Sequence, residues 1–214
     1  MPLRIQTFVA GPLDNNIYLL HDDNARQSVL IDPSIASDAA LAAAQAVPNV
    51  LAAIWNTHGH FDHIYDNARW KDAFDVPLWA YPGDEYFLEH LAEMALWFGL
   101  PAPRTAQPDA LFHTDDEVRV GSHIARVLHT PGHSPGSVSF YFEADAVCVS
   151  GDVIFRGSAG RTDLPLCSRE ELNDSLARLA GLPSATRLLP GHGGATTVGA
   201  ELADNPFVRH LRDG

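Results

Sequence analysis

The chain has 214 residues, 46% hydrophobic and 19% charged, a globular composition with room for a sizeable core and too apolar for a disordered chain. Its 14 basic against 27 acidic residues give a net charge of −13, which argues against a broad nucleic-acid or anionic-membrane surface and leaves only a local anion site open. Two cysteines, Cys148 and Cys167, make no disulfide framework, no apolar run is long enough to span a bilayer, and Met1 to Gly11 lacks a secretory lead, so a cytoplasmic protein is expected.

In chain order, Ile5 to Val9, Asn16 to Leu20 and Ser28 to Ile31 are short apolar runs set off by turn residues, which is strand chemistry. Ala36 to Val47 is alanine-rich and closes before Pro48, predicting a helix. Val50 to Trp55 reads as a buried strand, Asn67 to Phe74 as a short helix and Pro77 to Tyr81 as a strand. Asp84 to Phe98 predicts one amphipathic helix, with Phe87, Leu88, Leu91, Met94 and Ala95 on a shared face. Pro101 to Pro108 reads as a loop. Val118 to Val120, His123 to Leu128, Ser137 to Phe142 and Ala146 to Ser150 predict strands, the last carrying Cys148 as a packed core thiol. Glu170 to Ala180 predicts a helix capped by Ser168, and Thr186 to Leu189 a strand. Strands, helix, strands, helix fits sheets flanked by helices in one domain over residues 1–214, without repeats or an interdomain linker.

The chemistry concentrates between Thr57 and His63, where His58, His60, Asp62 and His63 fall within six positions. Residues two apart lie on different sides of a helix, so His58 and His60 can share one ion only from a loop or strand end. Asp62 and His63 then project differently, toward a second ion. Three further apolar strands each run into a glycine-containing turn that offers one ligand: His133 after Gly132, Asp152 after Gly151 and His192 after Gly191. Seven nitrogen and oxygen ligands without cysteine suit two divalent metal ions, zinc first, with iron or manganese as the other candidates, and Asp152 able to bridge them. Paired ions of that kind activate water near neutral pH and stabilise a leaving group.

This order of ligands, HxHxDH followed by single His, Asp and His, resembles the metallo-β-lactamase-fold superfamily over nearly the whole chain. The resemblance implies an α+β four-layer αββα sandwich, two mixed β-sheets face to face with helices outside, and a site at one sheet edge. It assigns His58, His60 and His133 to one metal, Asp62, His63 and His192 to the other, and Asp152 to both. Gly151 to Phe155 followed by Gly160, Arg161, Thr162 and Asp163 resembles glyoxalase II-like thioester hydrolases and persulfide dioxygenases.

The glyoxalase II-like resemblance implies a metal-dependent hydrolase in which activated water attacks the carbonyl of a small thioester, glutathione-linked or otherwise. Asp62 would help orient the nucleophile and Asp152 would set the spacing of the ions. Arg161 falls where glyoxalase II has a basic residue that contacts glutathione, and a structural pair with Asp163 is the competing role. Tyr65 follows the histidine loop and is expected to shape the pocket. The alternatives are a mononuclear iron persulfide dioxygenase using His58, His133 and Asp152, and a lactonase or other ester hydrolase. Asp152 stands where many zinc β-lactamases carry cysteine, which counts against a lactam substrate. No nucleic-acid or membrane partner is expected, and a homodimer is the one assembly weighed. His21, His90, His113, His123, His129 and His210 are expected to be surface or structural, and Asp32 either braces the site or caps a turn.

Overall fold

A computed structural model describes residues 1–211. The first sheet contains β1 (Arg4–Ala10), β2 (Asn15–Asp22), β3 (Gln27–Ile31), β4 (Val50–Trp55), β5 (Leu78–Ala80) and β6 (Ala110–Leu111) in that spatial order. Its first three strands pair antiparallel, and β3 to β6 pair parallel. The second half of the chain supplies β7 (Glu117–Val120), β8 (His123–His129), β9 (Val138–Phe142), β10 (Val147–Gly151), the small hairpin β11 (Ile154–Phe155) and β12 (Ser158–Ala159), β13 (Arg187–Pro190) and β14 (Thr196–Thr197). These form a second sheet in the order β14-β13-β10-β9-β8-β7, mixed because β10 and β13 run parallel.

Period-two burial sorts the layers. Tyr18 and Leu20 of β2 face Phe140, Val149 and Leu189 of the other sheet, while their neighbours Ile17 and Leu19 face outward. That outer face is covered by α1 (Asp38–Ala46) and α3 (Asn67–Phe74), through Ala40, Ala44 and Trp70. On the far side, Tyr141, Cys148 and Leu188 are covered by α6 (Arg169–Ala180) and α7 (Val198–Asp204), through Leu172, Leu176 and Val198. The central strands of both sheets are therefore buried on both faces, and the layers run helix, sheet, sheet, helix as the resemblance implies. Among the described residues no helix is long and apolar enough to cross a membrane.

Local expectations shift in two places. Helix α1 begins at Asp38 because Ala36 sits at φ 60°, outside the helical region, and ends before an extended Val47 that Pro48 requires. The single helix expected over Asp84 to Phe98 is two, α4 (Glu85–Glu89) and α5 (Leu91–Trp97). His90, at φ −101° and ψ 10°, breaks it, its ring Nδ1 lying 2.8 Å from the Tyr86 carbonyl that its own backbone N–H also reaches. The break lets Met94 and Ala95 pack against Phe61 and Ile64 beside the histidine loop. Ser168 caps α6 as expected, its hydroxyl accepting from the Glu171 N–H at 3.3 Å.

Candidate metal centre

Strand β4 ends at Trp55, and His58 and His60 follow in extended chain, so both imidazoles turn into one space. The last two residues of the motif do not continue that loop. Asp62 and His63 lie on the single-turn helix α2 (Phe61–Ile64), which points them to a different spot. His133 sits in the β8–β9 loop, Asp152 follows β10 and His192 follows β13. The carboxyl ends of parallel strands β4, β10 and β13 thus open on one crevice.

Two clusters result. Ligand atoms of His58, His60 and His133 lie within 4.8 Å of one another, and so do those of Asp62, His63 and His192. His60 Nδ1 is 2.8 Å from His133 Nε2, His63 Nε2 is 3.3 Å from His192 Nε2, and Asp62 Oδ2 is 3.3 Å from His192 Nε2. Asp152 stands between them: Oδ2 is 3.5 Å from both His133 Nε2 and His192 Nε2, and Oδ1 is 3.6 Å from His63 Nε2. Tetrahedral ligation at about 2.0 to 2.2 Å places ligand atoms roughly 3.4 Å apart, the spacing these groups already keep. His58 Nε2 and Asp152 Oδ1 are buried without a hydrogen-bond partner, a rare condition that a shared cation would relieve. A side chain at Gly191 would fill this space, since its Cβ would come 2.1 Å from Asp152 Oδ1.

The supporting residues fix which nitrogen faces inward. His63 Nδ1 lies 3.0 Å from Asp32 Oδ2, His133 Nδ1 3.0 Å from the Arg161 carbonyl and His192 Nδ1 2.8 Å from the Leu13 carbonyl. Each partner accepts the Nδ1 proton, leaving Nε2 free for an ion. Asp32 also accepts from the Thr57 N–H and hydroxyl, so it braces the loop as well as the ring. Two further residues carry no motif signal. Asn15 Nδ2 donates to Asp62 Oδ2 at 2.8 Å, and buried Asp84 accepts from the Gly59 and Gly136 N–H groups and the Ser134 hydroxyl, tying the His60 loop to the His133 loop. The polar pair Asn15–Asn16 heading an apolar strand is the only hint of the first.

Electrostatics prepares both clusters for cations. Burial, reinforced by the His133 ring, pushes the His60 imidazole down to about 3, and burial with the neighbouring rings holds His58 well below its ordinary value. Both offer neutral lone pairs at pH 7. For Asp62, burial opposes ionisation, but His63, His192 and the Asn15 amide outweigh it and keep the carboxyl below the usual range. Asp152 is likewise lowered, burial again being overcome by His63, His133 and His192.

A family model described as "Metallo-beta-lactamase superfamily" matches residues 10–192. The chain belongs to that superfamily. Among its relatives, "Hydroxyacylglutathione hydrolase GloC" of Haemophilus influenzae is 32% identical, with 96% of this chain and 98% of the relative covered. The BLEG-1 B3 metallo-beta-lactamase structure superposes with TM-score 0.88 at 34% identity over 96% of this chain and 99% of that one. The di-iron-bound form of TTHA1623 gives 0.86 at 40% identity, over 94% and 99%. ETHE1 from Myxococcus xanthus gives 0.77 at 25% identity, over 98% and 90%.

Arg161 reaches the crevice, but its guanidinium is exposed and makes two bonds to Asp163, at 2.6 and 2.8 Å. Tyr65 does not line the cavity over the metal ligands; its hydroxyl donates to the Pro101 carbonyl at 2.7 Å. Histidines outside the clusters have other duties: His123 Nδ1 pairs with Asp145 Oδ2 at 2.8 Å, and His129 Nε2 bonds the Pro135 carbonyl at 2.9 Å.

Proposed function

We propose that this superfamily member is a two-metal hydrolase of small thioesters. The observation that carries the reading is Asp152, one carboxylate within 3.6 Å of imidazoles from both clusters. His58, His60 and His133 would hold one divalent ion, Asp62, His63 and His192 the other, with Asp152 shared. Bound ions supply a hydroxide nucleophile near neutral pH and polarise the substrate carbonyl. Asp62, held by Asn15 and ionised, would accept a hydrogen bond from that hydroxide and orient it toward the carbonyl carbon, the C–S bond then breaking with the thiolate as leaving group. Phe87, Met94 and Phe155 line the cavity above and give it an apolar wall. The 32% identical GloC supports a thioester substrate, and the di-iron relative supports iron as well as zinc.

The dioxygenase alternative draws support from the likeness to ETHE1. It needs only His58, His133 and Asp152, whereas this chain also sets His60 beside His58 and His133 and gathers Asp62, His63 and His192 around a second position. The deciding measurement is metal content of protein from its native setting, paired with turnover of S-lactoylglutathione, an aryl ester, a β-lactam and glutathione persulfide. Two ions per chain with thioester turnover is the expected result; one iron with oxygen uptake on the persulfide would replace it. Asp152→Ala should remove bound metal and at least 99% of turnover, and full activity in that variant would sink the assignment.

A further inference from the structure

The cavity over the ligands encloses roughly 410 Å³. Beyond the metal-facing side chains its walls are mostly apolar, with Phe87, Met94, Trp97 and Phe98 on the side of α4 and α5 and Leu164 and Pro165 on the other, and with Ser158 and Arg161 as the polar exceptions. Phe98 stacks on Phe61 at a centroid distance of 4.7 Å and an interplanar angle of 28°, so an aromatic ledge runs from the helix bearing Asp62 and His63 to the cavity mouth. Trp97 and Phe98 are 67% and 55% exposed. Large aromatic groups left open at the rim of a cleft mark a ligand-binding surface.

Charge is the second observation. Among the described residues lining this cavity, Arg161 is the only lysine or arginine, and Asp163 already holds its guanidinium in a bidentate pair. Glutathione carries two carboxylates and an ammonium, and cationic side chains are the strongest anchors for the former. Arg161 with Asp163 beside it presents nearly no net charge to a second carboxylate, and the chain as a whole carries −13.

From these walls we infer that the substrate is a thioester with an uncharged apolar arm lying on the Trp97–Phe98 ledge, rather than a glutathione conjugate. The inference rests on the thioester reading above and narrows its substrate class. Each methylene laid on the ledge leaves water, and at about 0.8 kcal/mol per group this raises kcat/KM roughly fourfold until the cavity is full.

Binding tests it independently of turnover. Isothermal calorimetry on the metal-loaded protein compares S-hexyl-N-acetylcysteamine, an uncharged thioether, with S-methylglutathione. The first should bind at least tenfold more tightly, and Trp97→Ala should weaken it about tenfold while leaving S-methylglutathione unchanged; Phe98→Ala provides a second variant at an exposed position. Equal or tighter binding of S-methylglutathione, or indifference of the apolar ligand to both substitutions, would overturn the inference. Turnover of the matched S-hexanoyl-N-acetylcysteamine and S-lactoylglutathione follows. Preference for the hexanoyl ester supports the inference, and preference for lactoylglutathione overturns it. If neither is hydrolysed while the apolar ligand keeps its tenfold advantage, thioester hydrolysis falls and the apolar subsite stands.

Discussion

Asp32 holds three donors at once: the Thr57 N–H at 2.8 Å, the Thr57 hydroxyl at 2.6 Å and the His63 ring at 3.0 Å. Replacing it with alanine orphans those donors and frees the imidazole to rotate. Asp32→Ala should weaken metal affinity about 10- to 100-fold, read by competition against a chelating dye, with about 1 to 3 kcal/mol lost in urea unfolding. Unaltered metal affinity would show that Asp32 caps a turn and nothing more. The sequence displays Asp32 and the ligands because each follows an apolar strand and has a side chain suited to a cation. Asn15 and Asp84 escape the same reading for a physical reason. Asn15 meets Asp62 and His192 at separations of 47 and 177 residues, and Asp84 meets Gly59 and Gly136 at 25 and 52. No local pattern encodes a partner that only the folded chain brings near.

At the level of elements, Gly132 shows how tightly a ligand loop is seated on a helix. Its φ is +124°, a Cβ there would lie 2.2 Å from the Leu172 backbone nitrogen, and its carbonyl accepts the Ser168 N–H at 2.8 Å. The loop bearing His133 and the first turn of α6 therefore share one volume. Gly132→Ala combines backbone strain with a backbone clash and should cost about 3 kcal/mol or more in urea unfolding, with lowered metal content in whatever folds. A midpoint equal to that of the parent would refute the packing argument. Helices and strands were readable from apolar periodicity, but the division at His90 was not, because the apolar face continues unbroken across it. His90 divides α4 from α5, and the division serves a tertiary contact of Met94 and Ala95 with Phe61 and Ile64 that the apolar pattern does not display.

Across the whole molecule, the two-sided burial of the central strands follows from their near-continuous apolar runs, while the order of strands within each sheet depends on pairings that no single segment specifies. That burial extends to His21 in β2, whose ring contacts Ser28 Oγ at 2.6 Å and Gln6 Oε1 at 2.8 Å. Burial, with nearby Arg4, lowers its pKa from 6.5 to about 4. The unfolded chain therefore takes a proton near pH 6.5 that the folded chain refuses until about pH 4. This contribution is complete above pH 6.5 and is lost as the pH falls toward 4, at up to about 1.4 kcal/mol per pH unit. His21→Gln should flatten that limb of stability against pH in urea titrations, and parallel limbs would contradict it. Metal removal acts at the same scale, since both clusters draw ligands from both halves of the chain. An ion at about 1,000 times its dissociation constant adds about 4 kcal/mol, so chelation should lower Tm by roughly 8 to 16 °C, recovered on adding zinc; a Tm indifferent to chelation would refute it. The seam between the halves also sets a clock. During synthesis the first four ligands emerge together, but His192 lies 129 residues beyond His63, roughly 6 to 26 seconds of elongation later. Through that interval the Asp62, His63 and His192 cluster is incomplete, so the ribosome-bound chain can sample passing ions there but retain none with full affinity, and the choice of metal at that cluster falls to the finished fold.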